Sequence, residues 1–130
     1  MGLTLQTSAR NAACNAVVDL LDAGAGTATM TICEADNTVL STHNLNNPAF
    51  GAATGGAATA NTISDATAGA TGTAAKCRWY DRDTTLVFEG TVTATSGGGD
   101  IELNSTAVSS GVTVSIEGGD GGGTITMPAS

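Results

Sequence analysis

Aromatic residues are scarce, with one Trp, one Tyr and two Phe in 130 residues. Basic residues are nearly as scarce: Arg10, Lys76, Arg78 and Arg82 stand against twelve acidic side chains, a formal charge of −8. Three of the four cations fall in one short stretch, so no basic stripe runs along the chain to neutralise phosphates. This argues against nucleic acid and anionic membrane surfaces as partners and leaves, at most, a preference for a basic protein. No apolar run approaches the roughly 20 residues needed to cross a bilayer. No basic segment leads into an apolar one in the manner of a secretory signal, so synthesis in a cytoplasm is expected. Cys14, Cys33 and Cys77 are far apart and odd in number, which fits buried reduced thiols better than a disulfide framework.

What the chain does contain is Ala, Thr and Gly. Its length allows one domain, residues 1–130, with one core. That core must be filled largely by small side chains, each of which removes little apolar area from water. Oligomerisation, or docking onto a larger lattice, would supply the burial that such a core lacks.

The N-terminal periodicity predicts a helix over about 8–23, with Thr7 or Ser8 as N-cap and Gly24 ending it. Ala9, Ala13, Ala16, Val17, Leu20 and Leu21 recur at helical spacing and form the expected buried face, with Arg10, Asn11, Asn15, Asp19 and Asp22 largely opposite. After Gly26 the period becomes 2, and strands are expected from about 27 to 127. Ala28, Met30 and Ile32 alternate with Thr, and Thr38 to Thr42 reads as their hairpin partner. The stretch from His43 to Pro48 reads as a crossing loop or edge, since Pro48 cannot donate to a ladder. Residues 51–72 are low in complexity, with Ala57 to Ile63 the best strand candidate. Ala75, Cys77 and Trp79, followed by Leu86 and Phe88 beyond an Asp-rich turn, predict a second hairpin that carries most of the aromatic mass and hence the core centre. Ile101 with Leu103, then Val112 to Ile116, then Ile125 with Met127, supply further short strands. Gly118 to Gly123 reads as a flexible turn. Seven or eight short strands at this spacing predict a mainly β fold, a jelly-roll-like β-sandwich behind one short N-terminal α-helix.

Candidate chemistry is thin. His43, the only histidine, suits acid–base work at neutral pH but stands in an Asn-rich stretch with no Cys or carboxylate at ligand spacing. Asp81 and Asp83 flank Arg82, where Asp is also a preferred turn residue. The Gly118–Gly123 run has one imperfect copy, with Gly where the Asp should fall, of a pattern that binds calcium only when repeated. The expectation is a non-enzyme with no catalytic, cofactor-binding or metal site.

Several segments, in order along the chain, resemble small tailed-bacteriophage virion proteins. They are Leu3-Thr4-Leu5-Gln6-Thr7-Ser8-Ala9-Arg10-Asn11-Ala12 running into Val17-Val18-Asp19-Leu20-Leu21-Asp22-Ala23-Gly24, then Phe50-Gly51-Ala52-Ala53 and Ala58-Thr59-Ala60-Asn61-Thr62-Ile63. Gly72-Thr73-Ala74 leading to Arg78-Trp79-Tyr80-Asp81 follows, then Asp100-Ile101-Glu102-Leu103-Asn104-Ser105-Thr106 and Thr124-Ile125-Thr126-Met127-Pro128. The resemblance is to head decoration or cement proteins. It implies a structural protein on the capsid surface of a virion, a dimer or trimer, whose partner is the major capsid protein. The alternative is a tail- or surface-associated adhesion module for host carbohydrate, which would need exposed aromatic rings; only Tyr80 is spare for that role.

Overall fold

The computed structural model describes residues 3–119 and 124–126. The chain is mainly β, with one N-terminal helix and a curled sheet. Helix α1 (Thr7–Asp19) passes directly into a single 3-10 turn, Leu20–Asp22, and Gly24 at φ +109° turns the chain away. The N-cap is Gln6, whose side chain makes no capping bond, rather than Thr7 or Ser8. Twelve short strands follow among the described residues: β1 (Thr29–Cys33), β2 (Val39–Asn44), β3 (Ala57–Thr59), β4 (Ala66–Thr67), β5 (Gly72–Thr73), β6 (Lys76–Tyr80), β7 (Leu86–Ala94), β8 (Ile101–Leu103), β9 (Ala107–Val108), β10 (Thr113–Val114), β11 (Ile116–Gly119) and β12 (Thr124–Thr126).

Six of them form one sheet in the order β11-β8-β7-β6-β1-β2. The expected hairpins are present: β1 with β2, turning at Asn37 in the left-handed region, and β6 with β7. The rest form three small pairs, β4 with β10, β5 with β9 and β3 with β12. The run from Val112 to Ile116, expected as one strand, is two. Val114 pairs with Ala66 and Ile116 with Leu103, so the chain changes partner at Ser115. Of the proposed strand from Ala57 to Ile63, only Ala57–Thr59 is a strand, extended by a bridge between Phe50 and Ala60. The expected Gly turn lies partly in β11. Its residues 120–123, with Met127, fall outside the described residues.

Register explains where the core sits. Across the sheet, His43, Met30, Trp79 and Phe88 line up, as do Ser41, Ile32, Cys77 and Gly90, and Val92 lies beside Ile101. This face is apolar and covered. The opposite face carries the row Thr42, Thr31, Arg78 and Glu89. Alternation thus sorts the side chains as a half-buried sheet requires. Phe50 closes over the covered face, its ring 5.4 Å from Trp79 and 6.1 Å from Phe88, while Trp79 and Phe88 stand 5.4 Å apart. Such tilted and edge-on rings are worth roughly 0.5–1.5 kcal/mol per pair beyond the area they bury. Leu21, Met30, Ile32, Leu40, Ile101 and Leu103 are fully buried around them.

One connection departs from the usual rule. β7 and β8 are parallel neighbours, yet only residues 95–100 join them, where a crossover normally needs a dozen or more. The loop doubles back on β7 and is tied down by side chains. Thr91 N–H and Oγ1 donate to Asp100 Oδ2 at 2.9 and 3.1 Å, and Gly99 N–H donates to Thr93 Oγ1 at 3.0 Å. The Glu102 carboxylate accepts from Ser96 N–H and Gly98 N–H, each at 3.2 Å. Glycine is required for the close return: a Cβ on Gly97 would lie 2.7 Å from Thr93 Cβ.

Candidate functional site

The helix does not present the expected side to the core. Cys14, Val18 and Leu21, spaced four and three apart, are buried. Of the expected buried face, only Leu21 is inside. Ala9 and Ala16 are exposed, Ala13 and Val17 are half-buried, and Leu20 is 54% exposed. The reason lies on the polar flank. Asn11 Oδ1 accepts Gly56 N–H at 2.7 Å, Asn15 Oδ1 accepts Ala53 N–H at 2.8 Å, and Asp22 Oδ1 accepts Ala49 N–H at 3.0 Å. These three acceptors run along one side of the helix, and the segment 49–56 lies antiparallel to them. Unpaired backbone donors are costly to bury, and this segment lacks strand partners for much of its length. The helix supplies acceptors and turns its Asn side inward to do so.

The consequence is an apolar stripe on the outside. Ala9, Ala12, Ala16 and Leu20 follow one another at intervals of three and four residues, and each is exposed. Leu3 and Leu5, 91% and 40% exposed, stand in the arm before α1. Five large apolar side chains stand exposed among the described residues, and three of them, Leu3, Leu5 and Leu20, belong to this helix and its arm.

The remaining candidates are absorbed by the fold. His43 is in β2 and fully buried, not in a loop: its Nδ1 lies 2.8 Å from Ser64 O and its Nε2 2.9 Å from Ser41 Oγ. Burial lowers its pKa from 6.5, against smaller opposing effects of the Ser64 carbonyl and Asp65. A Ser–His pair is the core of many nucleophilic sites, but here both side chains are sealed from solvent. Asp81 Oδ1 accepts the Asp83 and Thr85 amides at 2.9 and 2.8 Å, an Asx turn, as the turn reading requires. The turn is clamped onto residues 23–26 by Arg82, which donates Nε–H to Gly26 O at 2.7 Å and its amide to Ala23 O at 3.0 Å.

The cations are likewise engaged. Lys76 Nζ and Arg78 Nε each lie 3.6 Å from Glu89 Oε1, and the Arg78 guanidinium sits 5.9 Å from the Tyr80 ring centroid. All three cysteines are buried. Desolvation pushes the Cys77 thiol up to about 11, and Trp79 Nε1–H points at its sulfur from 3.3 Å. Among the described residues no group of three or more His, Cys, Asp or Glu side chains could hold a metal ion. No helix among them is long and apolar enough to cross a membrane. A concavity of about 230 Å³ lies between Leu103, Val108, Val112 and Val114, and a wider acidic one is bordered by Glu34 and Asp36. No family model, curated protein or solved structure matches the chain.

Proposed function

We propose that this protein is a capsid decoration, or cement, protein that binds the major capsid protein lattice of a bacteriophage and stabilises it. The observation that carries the reading is the outward apolar stripe of α1 and its arm, Leu3, Leu5, Ala9, Ala12, Ala16 and Leu20, on an otherwise acidic protein. An apolar face without a partner among the described residues marks an interaction surface. The sequence resemblance to small phage virion proteins supplies the class of partner. In this reading the protein sits on the capsid surface as a dimer or trimer. The curled sheet and its layer of short strand pairs form a jelly-roll-like sandwich that acts as a rigid platform. The charge of −8 keeps the free protein dispersed before assembly.

The carbohydrate-binding alternative is less well supported. A sugar-stacking ring must present an open face, and the Tyr80 ring is attended by the Arg78 guanidinium.

Mass spectrometry of purified full heads tests the proposal. The chain is expected in the particle, and heads that lack it overturn the reading. Ala16→Glu, which places a charge in the stripe, is expected to abolish incorporation while leaving the thermal midpoint of the isolated protein unchanged. Normal incorporation of that variant would show that α1 is not the contact.

A further inference from the structure

His43 joins two elements that two backbone hydrogen bonds also hold together. Its Nδ1 faces the carbonyl of Ser64, which can only accept, so Nδ1 carries the proton and the neutral ring's Nε2 accepts the Ser41 hydroxyl. Ser41 and His43 belong to β2, at the edge of the six-stranded sheet, and Ser64 opens the segment that covers that edge. Backbone ties between them are few: Ser64 N–H to Asn44 O at 3.2 Å and Gly69 N–H to Leu40 O at 2.9 Å. On its other side the segment belongs to a different body. Ala66 pairs with Val114, Ala68 N–H donates to Val112 O at 2.8 Å, and Gly111 N–H donates to Ala68 O at 2.8 Å. Residues 64–69 can therefore leave β2 while keeping their bonds to β10 and its approach.

We propose that this joint is an acid-operated latch: protonating His43 detaches residues 64–69 from β2 and bares the edge of the six-stranded sheet. A second proton on the ring puts a cation at a site with no exposure to water. It also turns Nε2 into a donor facing Ser41 Oγ, whose hydroxyl must rotate to accept. The charged groups around it give little relief. Asp65, beside Ser64, favours the cation but is exposed. The facing strands β1 and β4 carry no charged residue, and Lys76 and Arg78 of β6 alternate onto the other face of the sheet. Swinging the ring into water removes the cost and breaks the Ser64 bond. The Leu40 and Asn44 carbonyls are then free on an open strand edge, a template for pairing with another chain.

The sign follows from where the proton is held more tightly. In the open state the ring titrates near its ordinary 6.5, and in the closed state lower. Opening is therefore favoured as pH falls below about 6.5, by up to roughly tenfold per pH unit, until the closed form itself titrates.

Amide hydrogen exchange by NMR on the full chain, from pH 7.5 to 5, with opening constants corrected for intrinsic exchange, tests this. The Ser64 and Gly69 amides are expected to open more readily below pH 6.5 while the β1 and β6 amides stay protected. His43→Asn, which keeps an N–H toward Ser64 O without a titrating ring, is expected to flatten the dependence. Asp65→Asn, which removes the favourable charge, is expected to enlarge the total change. Flat opening constants in the unmodified protein overturn the latch. So does a parallel loss of protection in β1 and β6, which would mean global acid unfolding, or a His43→Asn variant that keeps the dependence. Should His43→Asn not fold, His43→Gln serves as the second non-titrating variant, and a dependence that it retains overturns the latch equally.

Discussion

The carboxamide oxygen of Asn15 accepts the backbone N–H of Ala53 at 2.8 Å, linking the middle of the helix to the start of the low-complexity segment. Asn15→Ala leaves that half-buried amide without its acceptor, at a cost of about 1–2 kcal/mol. The expected result is a lower urea midpoint with an unchanged slope. Asn15→Asp, which keeps an acceptor in place, should retain most of the stability. An unchanged midpoint for Asn15→Ala would mean that Cys14, Val18 and Leu21 hold the helix unaided.

The loop between β7 and β8 makes a sharper demand on side-chain size. Gly97→Ala sets a methyl 2.7 Å from Thr93 Cβ and 2.9 Å from Ala94 O, and neither atom is the end of a flexible chain. A loss of about 1–3 kcal/mol is expected, as for other overpacked sites. Gly69→Ala is the control: no atom lies within 4 Å of the added methyl and φ is not positive. Its thermal midpoint should match the parent's, and equal losses in both variants would refute the packing account.

Cys77 makes a prediction at alkaline pH. Its thiol is raised from 9.0 to about 11 in the folded protein, chiefly by desolvation. The unfolded state therefore gives up this proton first, and the group's contribution to stability is lost as pH rises from about 9 to 11. Denaturation midpoints across that window should fall less steeply for Cys77→Ala than for the parent. A thiol-specific reagent at pH 8 should find Cys77 unreactive until the protein is unfolded, since the thiolate is the attacking form. Rapid labelling of the folded protein would contradict the burial.

These particulars show which parts of the fold could be read from residue order. β1 and the β6–β7 hairpin were legible because Met30, Ile32, Cys77 and Trp79 are large or well-spaced enough to declare an inner face by alternation alone. The helix was legible as a helix but not in its orientation. Its inward side is decided by Asn11 and Asn15, whose partners are backbone amides of the low-complexity segment and leave no trace in side-chain pattern. The same cause hid the structure of residues 49–56, which is held by acceptors from elsewhere rather than by its own periodicity. His43 looked like part of a loop because Asn44, Asn46 and Asn47 follow it. Its burial depends on Ser64, a partner 21 positions away. Of the candidate surface, only Ala9, Ala16 and Leu20 fall on the face that periodicity assigns to the interior, and Leu3, Leu5 and Ala12 do not, because periodicity shows that a face exists and not what it meets.

Strand β3 occupies a place that bears on how the chain comes to be folded at all. Ala57–Thr59 pairs with β12 near the end of the sequence and packs beneath α1 near its beginning. During synthesis the helix emerges early, but the strand that completes this layer leaves the ribosome only after residue 126. Until then β3 has α1 and its local bridges but no partner strand. Closure at such sequence separation is slow relative to local hairpin formation. The nascent protein therefore carries its sheet hairpins ready-made before β12 reaches β3.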